Sequence, residues 1–143
     1  MSDPLLAYER VFAAPAARVF AALVEARHLE RWFCDACTSE THEHGALVMR
    51  WTRPGGSGLP FEARWIVWSP PTSAAFTGGH AGYPDGTAGT VRFTLTSLED
   101  GGTRLRLEHE TPATPAHAAA LASWRDAWPR ALARLDAYLA PTA

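Results

Sequence analysis

The side chains with the most distinctive chemistry in this sequence are Cys34-Asp-Ala-Cys37 and, close behind them, His42-Glu-His44. Thiolate and imidazole are the ligands that tetrahedral zinc takes, so Cys34, Cys37, His42 and His44 form a candidate metal set. No second Cys-x-x-Cys pair accompanies the first, and two histidines two apart share one face of a strand, where water can satisfy both. The same pair of thiols could be redox-sensitive, although the strand-helix-strand setting of thioredoxin-like motifs is missing, or could have no special role. His109 follows Leu105 and Leu107 at alternate positions and so faces inward with them. An imidazole there either hydrogen-bonds a ligand, acts as a general base near neutral pH with Glu108 and Arg64 as companions, or is a satisfied core residue. The sequence contains no Gly-x-Ser-x-Gly elbow, no phosphate-cradling loop ahead of a helix and no His-Glu-x-x-His pair.

A third group is aromatic. Trp32, Phe33, Trp51, Trp65, Phe76, Phe93, Trp124 and Trp128 can wall a cavity, with indole N–H groups offered to the polar end of a ligand, or can simply pack as core. Strand alternation and helical spacing turn Trp51, Trp65 and Trp128 toward one interior. His80, Tyr83 and Asp85 lie in a Gly-rich stretch, Gly78 to Gly89, which reads as a long loop placed to gate such a cavity.

These groups need a scaffold, and 143 residues suffice for one domain with one core. A net charge of −2 with both signs scattered leaves no basic face for phosphates, so nucleic acid is excluded as a partner. No apolar run reaches the roughly 18 residues of a spanning helix, and the N-terminus lacks the basic and apolar regions of a leader. With only two closely spaced cysteines, the expected compartment is the reducing cytoplasm. No cofactor is called for.

The elements follow from periodicity. Leu5 to Phe12 reads as a strand, and Ala14-Pro15 switches the chain into a helix carrying Val19, Phe20, Leu23 and Val24. A second helical piece runs from His28 to Phe33. Leu47 to Trp51, Phe61 to Trp68, Ala74 to Thr77, Thr90 to Thr96 and Thr103 to His109 read as strands, with turns at Arg53 to Gly58, Pro70-Pro71 and Asp100 to Gly102. Past Pro112 and Pro115, Leu121, Trp124, Trp128, Leu132, Leu135 and Leu139 recur every three or four residues, predicting one long amphipathic helix kinked near Pro129. This order is α+β: a curved antiparallel sheet of six or seven strands around a long C-terminal helix, with two short helices after strand one. A sheet gripping one helix leaves a concave apolar space suited to a ligand.

Tyr8-Glu-Arg-Val-Phe-Ala-Ala-Pro15, Arg18-Val-Phe-Ala-Ala-Leu23 and Leu29-Glu-Arg-Trp-Phe33 resemble the opening of the START-like (SRPBCC) superfamily, in its branch related to the C-terminal domain of the activator of heat-shock protein 90 ATPase. Trp65 to Pro71 ahead of Phe76-Thr77, Gly102 to His109, and Ala127 to Leu139 agree in the same order, so the resemblance covers almost the whole chain. It implies a single helix-grip domain over residues 1–143 whose cavity holds lipids, polyketides or other hydrophobic compounds. It also implies that a histidine at the position of His109 is common. Two other functions are implied as alternatives: a chaperone-associated interaction domain, or a cyclase or dehydratase acting on a hydrophobic substrate. The sequence departs from the pattern at Ala127, where relatives often have Gly, and at Cys34-Asp-Ala-Cys37, where Gly and Pro are more usual. The leading expectation is non-enzymatic binding of a hydrophobic small molecule, by a monomer or homodimer.

Overall fold

The computed structural model describes residues 5–52, 60–80, 89–111 and 118–140. Tyr83, Asp85, Pro112, Pro115 and the turn from Arg53 to Gly58 lie outside them. Seven strands and three helices follow in the order β1 (Leu5–Phe12), α1 (Ala16–Val24), α2 (Ala26–Trp32), β2 (Ala36–Ser39), β3 (Ala46–Arg50), β4 (Phe61–Ser69), β5 (Ser73–His80), β6 (Gly89–Ser97), β7 (Thr103–Glu110) and α3 (Ala118–Leu139). All strands pair antiparallel in one curved sheet of order β1-β7-β6-β5-β4-β3-β2, the helix-grip arrangement expected. No helix among the described residues is long and apolar enough to cross a membrane.

The concave face collects the apolar residue of each alternating pair. Leu105, Leu107 and His109 from β7, Val91, Phe93 and Leu95 from β6, and Phe61 and Trp65 from β4 are buried there. They meet the buried stripe Trp128, Ala131, Leu132, Leu135 and Leu139 of α3 in one core. Two short connections lock α2 to α3: His28 Nδ1 lies 2.6 Å from the Tyr138 hydroxyl, and the Arg134 guanidinium donates to the Trp32 carbonyl at 2.9 Å.

The sequence reading needs three adjustments. A four-residue strand, β2, occupies Ala36–Ser39, where the thiol motif had drawn attention to chemistry rather than pairing. Gly78 and His80 belong to β5, which pairs along its whole length with β4, so the Gly-rich loop is shorter than expected. The register between β4 and β5 slips between Trp65 and Val67, leaving Ile66 as the extra residue. Strict alternation would place Trp65 and Trp68 on opposite faces. The bulge instead brings both inward, their rings 5.4 Å apart, with Trp68 edge-on to Phe20 of α1 at 5.5 Å.

α3 runs through Pro129 without interruption. Proline has no N–H, so the Arg125 carbonyl loses its helical donor. The Tyr8 hydroxyl of β1 reaches that carbonyl with a long hydrogen bond of 3.5 Å, a weak replacement. Pro129 is exposed, so an alanine there restores the helical bond without opening a void. Pro129→Ala should therefore raise stability by roughly 1–3 kcal/mol, read as a Tm several degrees higher in thermal denaturation. A lower Tm would mean that the proline is needed to seat Trp128.

Candidate functional site

Register brings several chain ends to one rim of the grip. Met49 pairs with Phe61, Phe61 with His80, Gly78 with Gly89, and Thr90 with Glu110, so the end of β3, the start of β4, the end of β5, the start of β6 and the end of β7 lie side by side. Trp124, two turns into α3, closes over this rim: its ring lies 5.1 Å from His109, 5.9 Å from Phe61 and 6.2 Å from Trp51.

From the rim inward the aromatic rings form one connected set. Phe33 stacks on Trp128 at 5.3 Å, Trp128 on Trp124 at 5.2 Å, and Phe33 meets Trp51 edge-on at 5.3 Å. On the sheet side Phe61 touches Phe76, which in turn touches Trp65 and Phe93. Burial divides the set. Trp65 and Trp128 are wholly buried at 0%, with Trp32, Phe76 and Phe93 nearly so, whereas Trp51 and Trp124 at the rim are only partly buried. The deep rings are framework, and the surface still open to a guest is at the rim.

The indole N–H groups of four tryptophans, Trp51 at the rim included, are engaged within the protein and not offered to a ligand. Trp32 donates to the Ala22 carbonyl at 2.8 Å, Trp51 to the Phe33 carbonyl at 2.6 Å and Trp65 to Ser39 Oγ at 3.2 Å. Ser39 passes its own proton to the Val24 carbonyl at 2.6 Å, tying β4 through β2 to the end of α1. Trp128 donates to His109 Nδ1 at 2.9 Å. These four donors are committed to holding the protein together. The Trp124 N–H has no acceptor among the described residues.

His109 is 3% exposed, and its tautomer follows from its partner. An indole nitrogen can only donate, so Nδ1 of His109 accepts and the ring proton of the neutral form sits on Nε2. Burial lowers its pKa to about 4, which keeps the ring neutral at physiological pH. No described residue accepts the Nε2–H. The nitrogen faces the start of β6, where the Gly89 backbone packs closely against the ring: a Cβ on Gly89 would sit 3.0 Å from Nε2 and 3.0 Å from the Glu110 carbonyl oxygen.

The acid-base group suggested around His109 does not assemble. Glu108 lies on the opposite face of β7, 3.6 Å from Arg106, and Arg64 projects from the outer face of β4 to donate to the His44 carbonyl. The candidate zinc set is separated as well. Cys34 and Cys37 precede and begin β2, while His42 and His44 lie in the turn beyond its other end. Among the described residues no three His, Cys, Asp or Glu side chains converge. The Cys34 thiol donates to the Leu29 carbonyl at 3.7 Å; its pKa is raised by the neighbouring Cys37 thiol and by burial, and that of Cys37 is lowered by Cys34. Phe61 and Gly89 belong to the site although sequence reasoning passed over them. The inward phase of β4 signals Phe61, whereas Gly89 stands out only once its neighbours are known.

A buried neutral histidine that is protonated in the unfolded chain makes stability depend on pH. Its folded-state pKa is depressed, so its contribution is complete above about 6.5 and is lost as pH falls toward 4. Urea denaturation should show stability falling by up to ~3 kcal/mol across that window, and His109→Gln should flatten the slope. An equal slope in the variant would assign the effect to other groups.

Several solved structures share the fold. A protein from Rhodobacter sphaeroides is 28% identical, with a TM-score of 0.77 and 97% of each chain covered. An Hsp90 activator from Plasmodium falciparum is 16% identical with a TM-score of 0.78, covering 94% of this chain and 95% of that one. A protein of the dynemicin biosynthetic locus is 20% identical with a TM-score of 0.76, covering 96% of this chain and 47% of that one. No curated protein sequence matches. The family described as Activator of Hsp90 ATPase homolog 1-like protein matches residues 13–140, through both short helices, all strands after the first and the long helix. The chain belongs to that family, and with it to the START-like superfamily.

Proposed function

We propose that this protein is a cytoplasmic carrier or receptor that holds a hydrophobic small molecule at the rim between sheet and α3 without transforming it. One observation carries the reading: Trp51 and Trp124, set edge-to-face 6.2 Å apart beside Phe61 and Phe33, remain only partly buried while Trp65, Phe76, Phe93 and Trp128 are sealed. Large aromatic surface left open beside a well-packed wall is what apolar ligands cover. The state of His109 supports binding over catalysis, because its lone pair is engaged by Trp128 and it is a poor base at neutral pH. The two cysteines, both free, suit a reducing compartment. One structural neighbour is a protein of the dynemicin biosynthetic locus, which accords with this reading.

A chaperone-associated role is the second reading, favoured by the description of the family and by the fold shared with the Plasmodium activator. Recovery of the heat-shock protein 90 homologue from cell extract on the immobilised protein, surviving the substitution Trp124→Ala, would favour it over the first.

Native mass spectrometry of gently purified protein, followed by organic extraction, should reveal a discrete apolar compound. Trp124→Ala should weaken binding of that compound, or of the neutral probe phenylnaphthylamine, at least about tenfold, and cost only ~1–2 kcal/mol of stability because the ring is partly exposed. An empty chain that also fails to bind the probe would overturn the proposal.

A further inference from the structure

Two thiols lie in one seam of the fold, between the end of α2 and β2. The helix ends at Trp32, and the chain passes Phe33 and Cys34, bends at Asp35 and enters β2 at Ala36. Cys34 is buried, and its amide and its thiol both reach the Leu29 carbonyl, at 3.0 and 3.7 Å. The Cys37 amide donates to the Glu30 carboxylate at 2.9 Å, so the second cysteine is held against the next residue of the same helix. Cys37 shares its face of β2 with Ser39, whose hydroxyl donates to the Val24 carbonyl at the end of α1, and that face looks toward the helices. Cys34 belongs to the core and Cys37 packs against it.

The two cysteines are unequal. Cys37 is half-buried and open to small solutes, whereas Cys34 is closed off. The Cys37 thiol, ahead of burial, raises the pKa of Cys34, and the Cys34 thiol lowers that of Cys37. One sulfur therefore supports a thiolate on the other. The Glu30 carboxylate opposes ionisation of both, and Asp35 adds to its effect on Cys34. This asymmetry is that of a working dithiol, in which the accessible sulfur attacks as thiolate and the buried one keeps its proton until a reactive sulfur is presented to it.

We propose that Cys34 and Cys37 form a reversible redox site, which hydrogen peroxide converts to an intrachain disulfide across the seam between α2 and β2. The Cys37 sulfur attacks one oxygen of the peroxide, the O–O bond breaks, and Cys37 becomes a sulfenic acid. The departing hydroxide takes up the proton that Cys37 released and leaves as water. The Cys34 sulfur then attacks the Cys37 sulfur, the S–O bond breaks, and the second hydroxide leaves as water with the Cys34 proton. Two thiols give up two electrons and two protons, and one peroxide becomes two waters. The site adjoins the rim: Phe33, next to Cys34, accepts the Trp51 N–H on its carbonyl and stacks on Trp128, and the Asp35 carboxylate accepts from the Thr52 amide. A bond between Cys34 and Cys37 pulls on the segment that holds Trp51 in place.

The test treats the intact, fully reduced protein with a small excess of hydrogen peroxide at neutral pH and follows it by mass spectrometry. The mass should fall by two hydrogen atoms, peptide mapping should find Cys34 joined to Cys37, iodoacetamide should label neither, and dithiothreitol should return both thiols. These readouts need no variant and so do not depend on whether one folds. Cys34→Ser should stop at the Cys37 sulfenic acid, which dimedone traps. Cys37→Ser should react with peroxide at least about tenfold more slowly than the wild-type protein, because the thiol it keeps is the buried, protonated one. Tryptophan emission of the wild-type protein should change on oxidation and recover on reduction. Two thiols still open to alkylation after peroxide, a mass that gains oxygen without a Cys34 to Cys37 link, or a Cys37→Ser variant oxidised as fast as the wild type would overturn the proposal. A disulfide that forms with unchanged emission would overturn the link to Trp51 alone.

Discussion

The hydrogen bond from Trp128 to His109 is the constraint on which the rest of the interior depends. Both side chains are buried, one on the long helix α3 and one on the strand that pairs with β1 and β6. Without the imidazole the indole N–H would be unpaired in an apolar core, and without the indole the imidazole would have to find another donor or a proton. The bond therefore sets the rotation of α3 against the sheet. Once that rotation is set, Phe33 can stack on Trp128, Trp124 falls over the rim, and the remaining stripe down to Leu139 meets the core. The same bond chooses the tautomer, so helix docking and the polarity of the site are decided together.

Much of this was legible in the sequence. Alternation in Thr103 to His109 and three- or four-residue spacing in Leu121 to Leu139 are strong because each element buries one face and wets the other. Aromatic and aliphatic positions on those faces were identified as interior, and the family resemblance holds along residues 13–140. What the pattern could not supply was partnership. Nothing in the spacing of Trp65 and Trp68 announces an extra residue at Ile66, because a bulge is decided by how two strands accommodate each other. Likewise Cys34, Cys37, His42 and His44 are neighbours in sequence, but a strand rising about 3.3 Å per residue carries them apart. The tryptophans looked like ligand donors because their acceptors, a carbonyl of α1, the carbonyl of Phe33 and a serine of β2, are visible only in three dimensions.

The interior is thus stratified. Toward the middle of the sheet, rings are sealed and their polar atoms answered within the protein. Near the joined ends of β3 through β7 the same chemistry continues with less coverage, and His109 is the one deep polar group whose second nitrogen looks toward that end. A packed core resists change of even one methylene, so a site cut into its middle would be costly, whereas one placed where packing already thins is not.

That placement bears on how such a protein diversifies. The rim residues come from strand ends and the first turns of a helix, joined in sequence by residues 53–59, 81–88 and 112–117, while the bonds that orient the helix lie deeper. Under the binding function proposed above, substitutions at the rim would exchange one guest for another while leaving the Trp128 to His109 bond in place. Variation in recognition would then be uncoupled from foldability, because the residues that meet a guest are not the ones that seat the helix.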